Sequence, residues 1–188
     1  MCVKFSRKLI DALAKRRMGA ISVVADMNAI QEVFPNGDEK ELKRRTYVFC
    51  IKQLMVDIAK KMLELFPGDQ VLVVHESGNW DEEALRGYKL LADEGKWDKG
   101  RIFCGFTSLT KVECIGFEAC DLIAYEMFKG VKAKTADPNV SMRGALQEMH
   151  KKGIAMSTHW INLDAAKALY RIMKASGKYP DLDKQGIT

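Results

Sequence analysis

Glu76 closes the apolar run Val71-Leu72-Val73-Val74 in the segment VLVVHESGN, and Glu118 and Asp121 stand three apart in FEACDLIAY with Tyr125 four residues further on. At helical spacing Glu118, Asp121 and Tyr125 share one face. An acid just beyond a parallel strand lies where open α/β sheets bind ligands. Carboxylates brought together raise one another's proton affinity unless a cation neutralises them, and Mg²⁺ or Mn²⁺ with oxygen ligands is the usual solution. Such a cation activates water and stabilises charge on a phosphate. The competing reading of an acidic i, i+3 pair is a solvated helix face. The apolar neighbours in FEACDLIAY argue instead for a buried helix.

Other chemistry finds little support. Cys2, Cys50, Cys104, Cys114 and Cys120 are odd in number and include no C-x-x-C pair, so they read as reduced, mostly buried thiols. His75, His150 and His159 are too scattered for a zinc site. No P-loop, dinucleotide fingerprint, nucleophile elbow or H-E-x-x-H is present, which removes the simplest nucleotide-binding, hydrolase and metalloprotease readings.

The elements that must position the acids can be read from periodicity and capping. Leu9, Ile10, Leu13 and Ala14 give an amphipathic helix over 6–17 with Lys15, Arg16 and Arg17 in its last turn. ISVVA at 21–25 is a strand, and Asn28 with Gln31 caps the short helix that follows. Asp38 with Glu41 opens a long helix to about 66, whose apolar face is too broad for one solvent-exposed stripe. VLVV reads as a strand covered on both faces. Asn79 with Glu82 caps a helix over 80–94, RIFCGF at 101–106 is a further strand, and a helix over 115–130 ends at Gly130. Helices over 142–151 and 162–176, joined by a segment with His159 and Trp160, precede a polar tail. Trp80, Trp97 and Trp160 read as packing.

Strand and helix alternate from 21 to 130, which is the order of an α/β layer fold. With 188 residues, 47% of them hydrophobic and 29% charged, the chain suits one soluble domain over 1–188, with a core at 20–130 and a C-terminal helical extension at 140–177. No apolar run approaches the roughly 18–20 residues that cross a bilayer, and charges interrupt the apolar N-terminal stretch, so no membrane partner and a cytoplasmic location are expected. The net charge of +5 is uneven: residues 1–20 carry six basic and one acidic side chain, 71–130 seven and eleven, 131–188 ten and five. Basic ends around an acidic centre fit a phosphate-bearing partner steered to a carboxylate-held cation.

SLTKVECIGFEACDLIAYEMFKG at 108–130 resembles the C-terminal signature of the bacterial family called domain of unknown function 3800, a Ser/Lys loop leading to a Leu-Gln-x-Ala-Asp-Leu-x-Ala-Tyr helix. Phe117, Glu118, Cys120, Asp121, Leu122, Ala124 and Tyr125 stand in those positions, and His75, Glu76 and Gly78 match the family's strand ending in Phe-Glu-x-Gly. The two motifs cover about a third of the chain. The resemblance implies an RNase H-like layered sheet flanked by helices and a metal-dependent nuclease or phosphodiesterase. Glu76 and Asp121 would hold Mg²⁺ or Mn²⁺, Glu118 would be an auxiliary catalytic carboxylate, and Ser108 and Lys111 would contact the substrate phosphate of a nucleic acid.

The family's opening Asp-Glu-Ser strand has no counterpart before ISVVA, and Glu118 replaces a glutamine, so an N-terminally truncated member lacking one acidic ligand is expected. Two alternatives follow: a non-catalytic relic or binding module on the same scaffold, and an interaction subunit or homo-oligomer in which a partner covers an exposed strand edge and a surface drawn from ten methionines.

Overall fold

In the computed structural model, which describes residues 2–16, 18–35, 37–93, 102–114, 116–141 and 143–175, helices α1 (Cys2–Lys15), α2 (Met27–Val33), α3 (Glu39–Leu65), α4 (Asp81–Asp93), α5 (Gly116–Ala136), α6 (Gly144–Lys151) and α7 (Leu163–Ala175) alternate with strands β1 (Ala20–Ala25), β2 (Val71–Glu76), β3 (Phe103–Leu109) and β4 (Met156–Ile161). Arg17, Trp97, Arg101 and the polar tail from 176 onward lie outside the described residues. The fold is mixed α/β, and its strands pair two by two, β1 with β4 and β2 with β3. Both pairs are parallel: Ala20 and Asp26 donate to the carbonyls of Ala155 and Ile161. The expected single layered sheet is not formed among these residues. Among the described residues no helix is long and apolar enough to cross a membrane.

Two compact units emerge, one of Met1–Ser22 with Leu109–Thr158, the other of Val23–Ser108 with His159–Thr188. The larger unit is organised by α3. Its N-cap is Asp38, whose carboxylate accepts from the Glu41 amide at 2.8 Å, as the spacing predicts. At 27 residues the helix runs about 40 Å, long enough to feed two apolar clusters. Phe49 and Val48 join Ile30, Val33, Phe34, Ile161 and Ala166 in one; Met55 and Ala59 join Leu91, Ile102 and Phe103 in the other. Burying a Phe49-sized side chain stabilises the fold by about 1.5–3 kcal/mol relative to exposure. The cap of α2 is Asp26, which accepts from the amides of Asn28 and Ala29; Asn28, the expected cap, is inside the helix.

Three expectations change. VLVV is covered on one face only: Val71 and Val73 pack into the second cluster, while Leu72 is 57% exposed, because a two-stranded sheet has one core side. The segment with His159 and Trp160 is strand β4, paired with β1. Helix α5 runs through Gly130 to Ala136 and stops before Pro138. A Cβ on Gly130 would lie 3.2 Å from Leu146 Cδ1, so this glycine serves the close packing of α6. In that smaller unit Ile10 and Leu13 of α1, Ala119 of α5, and Leu146 and Met149 of α6 form the core.

Helices α3 and α4 approach closely at Gly87, where a Cβ would sit 2.8 Å from Ile51 Cγ2. Gly87→Ala should therefore destabilise by about 1–3 kcal/mol through overpacking, although alanine is the better helix former by about 1 kcal/mol. In an Ile51→Ala background, where the clashing side chain is gone, Gly87→Ala should cost less in urea unfolding than it does in the wild-type background. A Gly87→Ala protein as stable as wild type would contradict this packing.

Candidate functional site

In the larger unit, β2 ends in His75 and Glu76, the chain turns through Ser77 and Gly78, and α4 begins at Asp81. The Nδ1 of His75 lies 3.0 Å from Asp81 Oδ1, and its Nε2 lies 2.6 Å from the Tyr47 hydroxyl on α3. A carboxylate only accepts, so Nδ1 carries the proton and donates to Asp81, leaving the Nε2 lone pair to accept from Tyr47. The imidazole side chain is 11% exposed and stacks on Phe106 of β3, and Tyr47 stacks on Trp80 with ring centroids 5.4 Å apart.

Asp81 gathers further donors: the Gly78 amide at 3.2 Å, the Ser77 hydroxyl at 3.1 Å and the Ser108 hydroxyl of β3 at 3.3 Å. Desolvation alone would raise its carboxyl, but the Gly78, Ser77 and His75 hydrogen bonds outweigh it and hold the group below the ordinary carboxylate value. Tyr47 moves the other way: burial, then the negative charges of Asp81 and Glu76, push its phenol up to about 12. The phenol therefore stays protonated at neutral pH. Beside this chain a cleft of about 1070 Å³ opens between α3 and the start of α4, lined by Lys40, Lys43, Arg44, Trp80, Asp81 and Glu82 among others. Two of its cations are already paired, Lys43 with Glu39 and Arg44 with the buried Glu83, each at 2.6 Å.

The residues singled out from the sequence fall into two sets. Glu76 and Ser108 belong to the larger unit, at the carboxyl ends of β2 and β3, and Ser108 bonds to Asp81. Glu118, Asp121 and Lys111 belong to the smaller unit. There α5 buries Phe117 and Ala119 while Glu118 and Asp121 face outward, so the acids lie on its exposed side and not in a buried core. Lys111 is held in a turn where Glu113 accepts from the amide and hydroxyl of Thr110, and its ammonium pairs with Asp121. The lysine expected to meet a phosphate thus neutralises the carboxylate expected to meet a metal.

Among the described residues no group of three or more His, Cys, Asp or Glu is placed to hold a metal ion. Among the cysteines, Cys104 and Cys120 are exposed, contrary to expectation, and burial pushes the Cys50 thiol up to about 12, too high for a nucleophile at neutral pH.

Nothing local in the sequence groups Asp81, His75 and Tyr47: the pointer it offers is the polar cluster directly after VLVV, while Tyr47 belongs by spacing to the broad apolar face of α3. No protein-family model, no curated protein and no solved structure matches this chain.

The two shifted groups give opposite pH signatures. Asp81, lowered in the fold, contributes stability that is fully present above the ordinary carboxyl value of about 3.9 and is lost as pH falls through its lowered value. Tyr47, raised, contributes stability that is present below the ordinary phenol value of about 10 and is lost as pH rises through about 12. Equilibrium unfolding followed across pH should show Asp81→Asn flattening the acid limb and Tyr47→Phe flattening the alkaline limb. Limbs unchanged by both substitutions would contradict the assignments.

Proposed function

We propose that the protein is a hydrolase of phosphodiester bonds, with its proton-transfer groups, His75, Tyr47 and Asp81, gathered at the carboxyl end of β2. The observation that carries the reading is the hydrogen-bonded chain Asp81–His75–Tyr47, a carboxylate orienting an imidazole whose other nitrogen holds a hydroxyl proton. The phosphodiester as substrate comes from the sequence resemblance. Its RNase H-like fold belongs to this proposal too.

In this reading an attacking water gives a proton to the Tyr47 oxygen as the Tyr47 proton passes to His75 Nε2. The water oxygen bonds to phosphorus, the bond from phosphorus to the leaving alkoxide breaks, and that alkoxide then takes the proton back by the same route, so that in between the net proton rests on His75. Asp81, kept ionised by its donors, stabilises the imidazolium that results.

One observation favours a second, non-catalytic reading: both ring nitrogens of His75 are already satisfied inside the unit, so the chain also serves as a tie among α3, β2 and α4. Labelled RNA and DNA incubated with the protein and Mn²⁺ separate the two. Cleavage is expected, falling by about 100-fold or more in His75→Gln and staying within a few-fold in Asp121→Asn, whose carboxylate pairs with Lys111. An intact wild-type substrate, or a His75→Gln protein that cleaves at the wild-type rate, would overturn the hydrolase reading and leave the tie.

A further inference from the structure

The smaller unit carries the protein's net positive charge: its residues include thirteen basic and seven acidic side chains, against seventeen and eighteen in the larger unit. On α5, positions 121, 125, 128 and 132 share one face at helical spacing, and all four side chains are exposed. Two are large aromatic rings, Tyr125 at 53% and Phe128 at 52% exposure. They lie one turn apart, about 4.5 Å along the axis.

Two cations lie beside Tyr125. Lys129 Nζ lies 5.6 Å from the Tyr125 ring centroid and Arg143 Cζ 5.9 Å from it, near the outer limit of a cation–π contact, so neither blocks exchange for a better partner. Arg143 is fixed in place by the buried Glu126, with Nε donating to Oε2 at 2.8 Å and Nη2 to Oε1 at 3.3 Å. Lys132 continues the face. Of the acids on this side, Asp121 is neutralised by Lys111, and Glu118 stands two turns from Tyr125, toward the start of the helix.

From this juxtaposition of two exposed rings with Lys129, Lys132 and Arg143 on a net-positive unit, we propose that the outer face of α5 binds single-stranded nucleic acid without sequence preference. Bases stack on Tyr125 and Phe128, and the three cations meet the phosphates. A duplex hides its base faces in its own stack, so the rings select the single strand. Charge complementarity decides against an apolar protein groove, which would leave the lysines without partners, and the acid-to-base gradient along the face does not match a lipid-embedded stripe. The inference stands on α5 and is independent of the role given to His75.

Fluorescence anisotropy in EDTA tests it, with dye-labelled oligo(dT), oligo(rU) and a duplex of about 20 nucleotides, a length exceeding common single-strand site sizes. Both single strands should bind more tightly than the duplex, and their ratio tells DNA from RNA as the preferred strand. Tyr125→Ala and Phe128→Ala should each weaken binding by about 5- to 100-fold, the loss of one stacked base, while Tyr125→Phe keeps it. Lys132→Ala should lower the salt slope by about 0.7. No binding of either single strand, or binding that salt abolishes but Tyr125→Ala and Phe128→Ala leave unchanged, overturns the proposal. So does binding to anionic phosphatidylglycerol vesicles with none to the oligonucleotides, which would assign the face to a membrane surface.

Discussion

An imidazole with hydrogen bonds on both nitrogens is the constraint around which the larger unit is arranged. His75 lies at the end of β2, its donor side on the first residue of α4 and its acceptor side on Tyr47 in α3. Each such bond contributes about 0.5–1.5 kcal/mol net, but leaving a buried nitrogen unpaired costs more, about 1–3 kcal/mol. The three elements therefore have one arrangement that satisfies the ring. The surroundings reinforce it: Phe106 stacks on the imidazole, Trp80 on Tyr47, and Gly87 lets α4 come close enough to Ile51 on α3. Glycine there and a long helix with two apolar clusters are the packing conditions under which a carboxylate, an imidazole and a phenol stay aligned.

The same local logic separates the chemistry of the two units. Around His75 the acids hold hydrogen-bond donors tightly: Asp81 accepts from four groups, and the buried Glu83 holds Arg44. On α5 of the smaller unit two acids are spent on cations, Asp121 on Lys111 and Glu126 on Arg143. That leaves Lys129 and Lys132 beside the exposed rings of α5. The carboxylates of the two units are thus occupied differently, by neutral donors and an imidazole around Asp81 and by Lys and Arg on α5.

Much of the architecture was legible in the sequence because local signals and packing agree. Asp38 with Glu41, the breadth of the apolar face after it, and the β-branched runs ISVVA and VLVV all correspond to elements, although β2 runs two residues past VLVV and takes in His75 and Glu76. Strand β4 was hidden because MSTHWI sets Ser, Thr and His among its apolar residues and half of it faces outward. Gly130 read as a stop because its use, contact with Leu146, is a tertiary fact. The site was legible only as a place, the polar end of β2. Its members were not, since Tyr47 lies 28 positions and Asp81 six positions from His75 and no local pattern groups the three. The acids of FEACDLIAY read as ligands because nothing local reveals that Lys111, ten residues upstream, comes back to Asp121.

The most direct test of the account is the ¹⁵N NMR spectrum of the His75 ring at neutral pH. The Asp81–His75–Tyr47 chain requires the tautomer protonated at Nδ1, with a slowly exchanging Nδ1 proton that vanishes in Asp81→Asn. A ring protonated at Nε2, or an even mixture of the two tautomers, would contradict it.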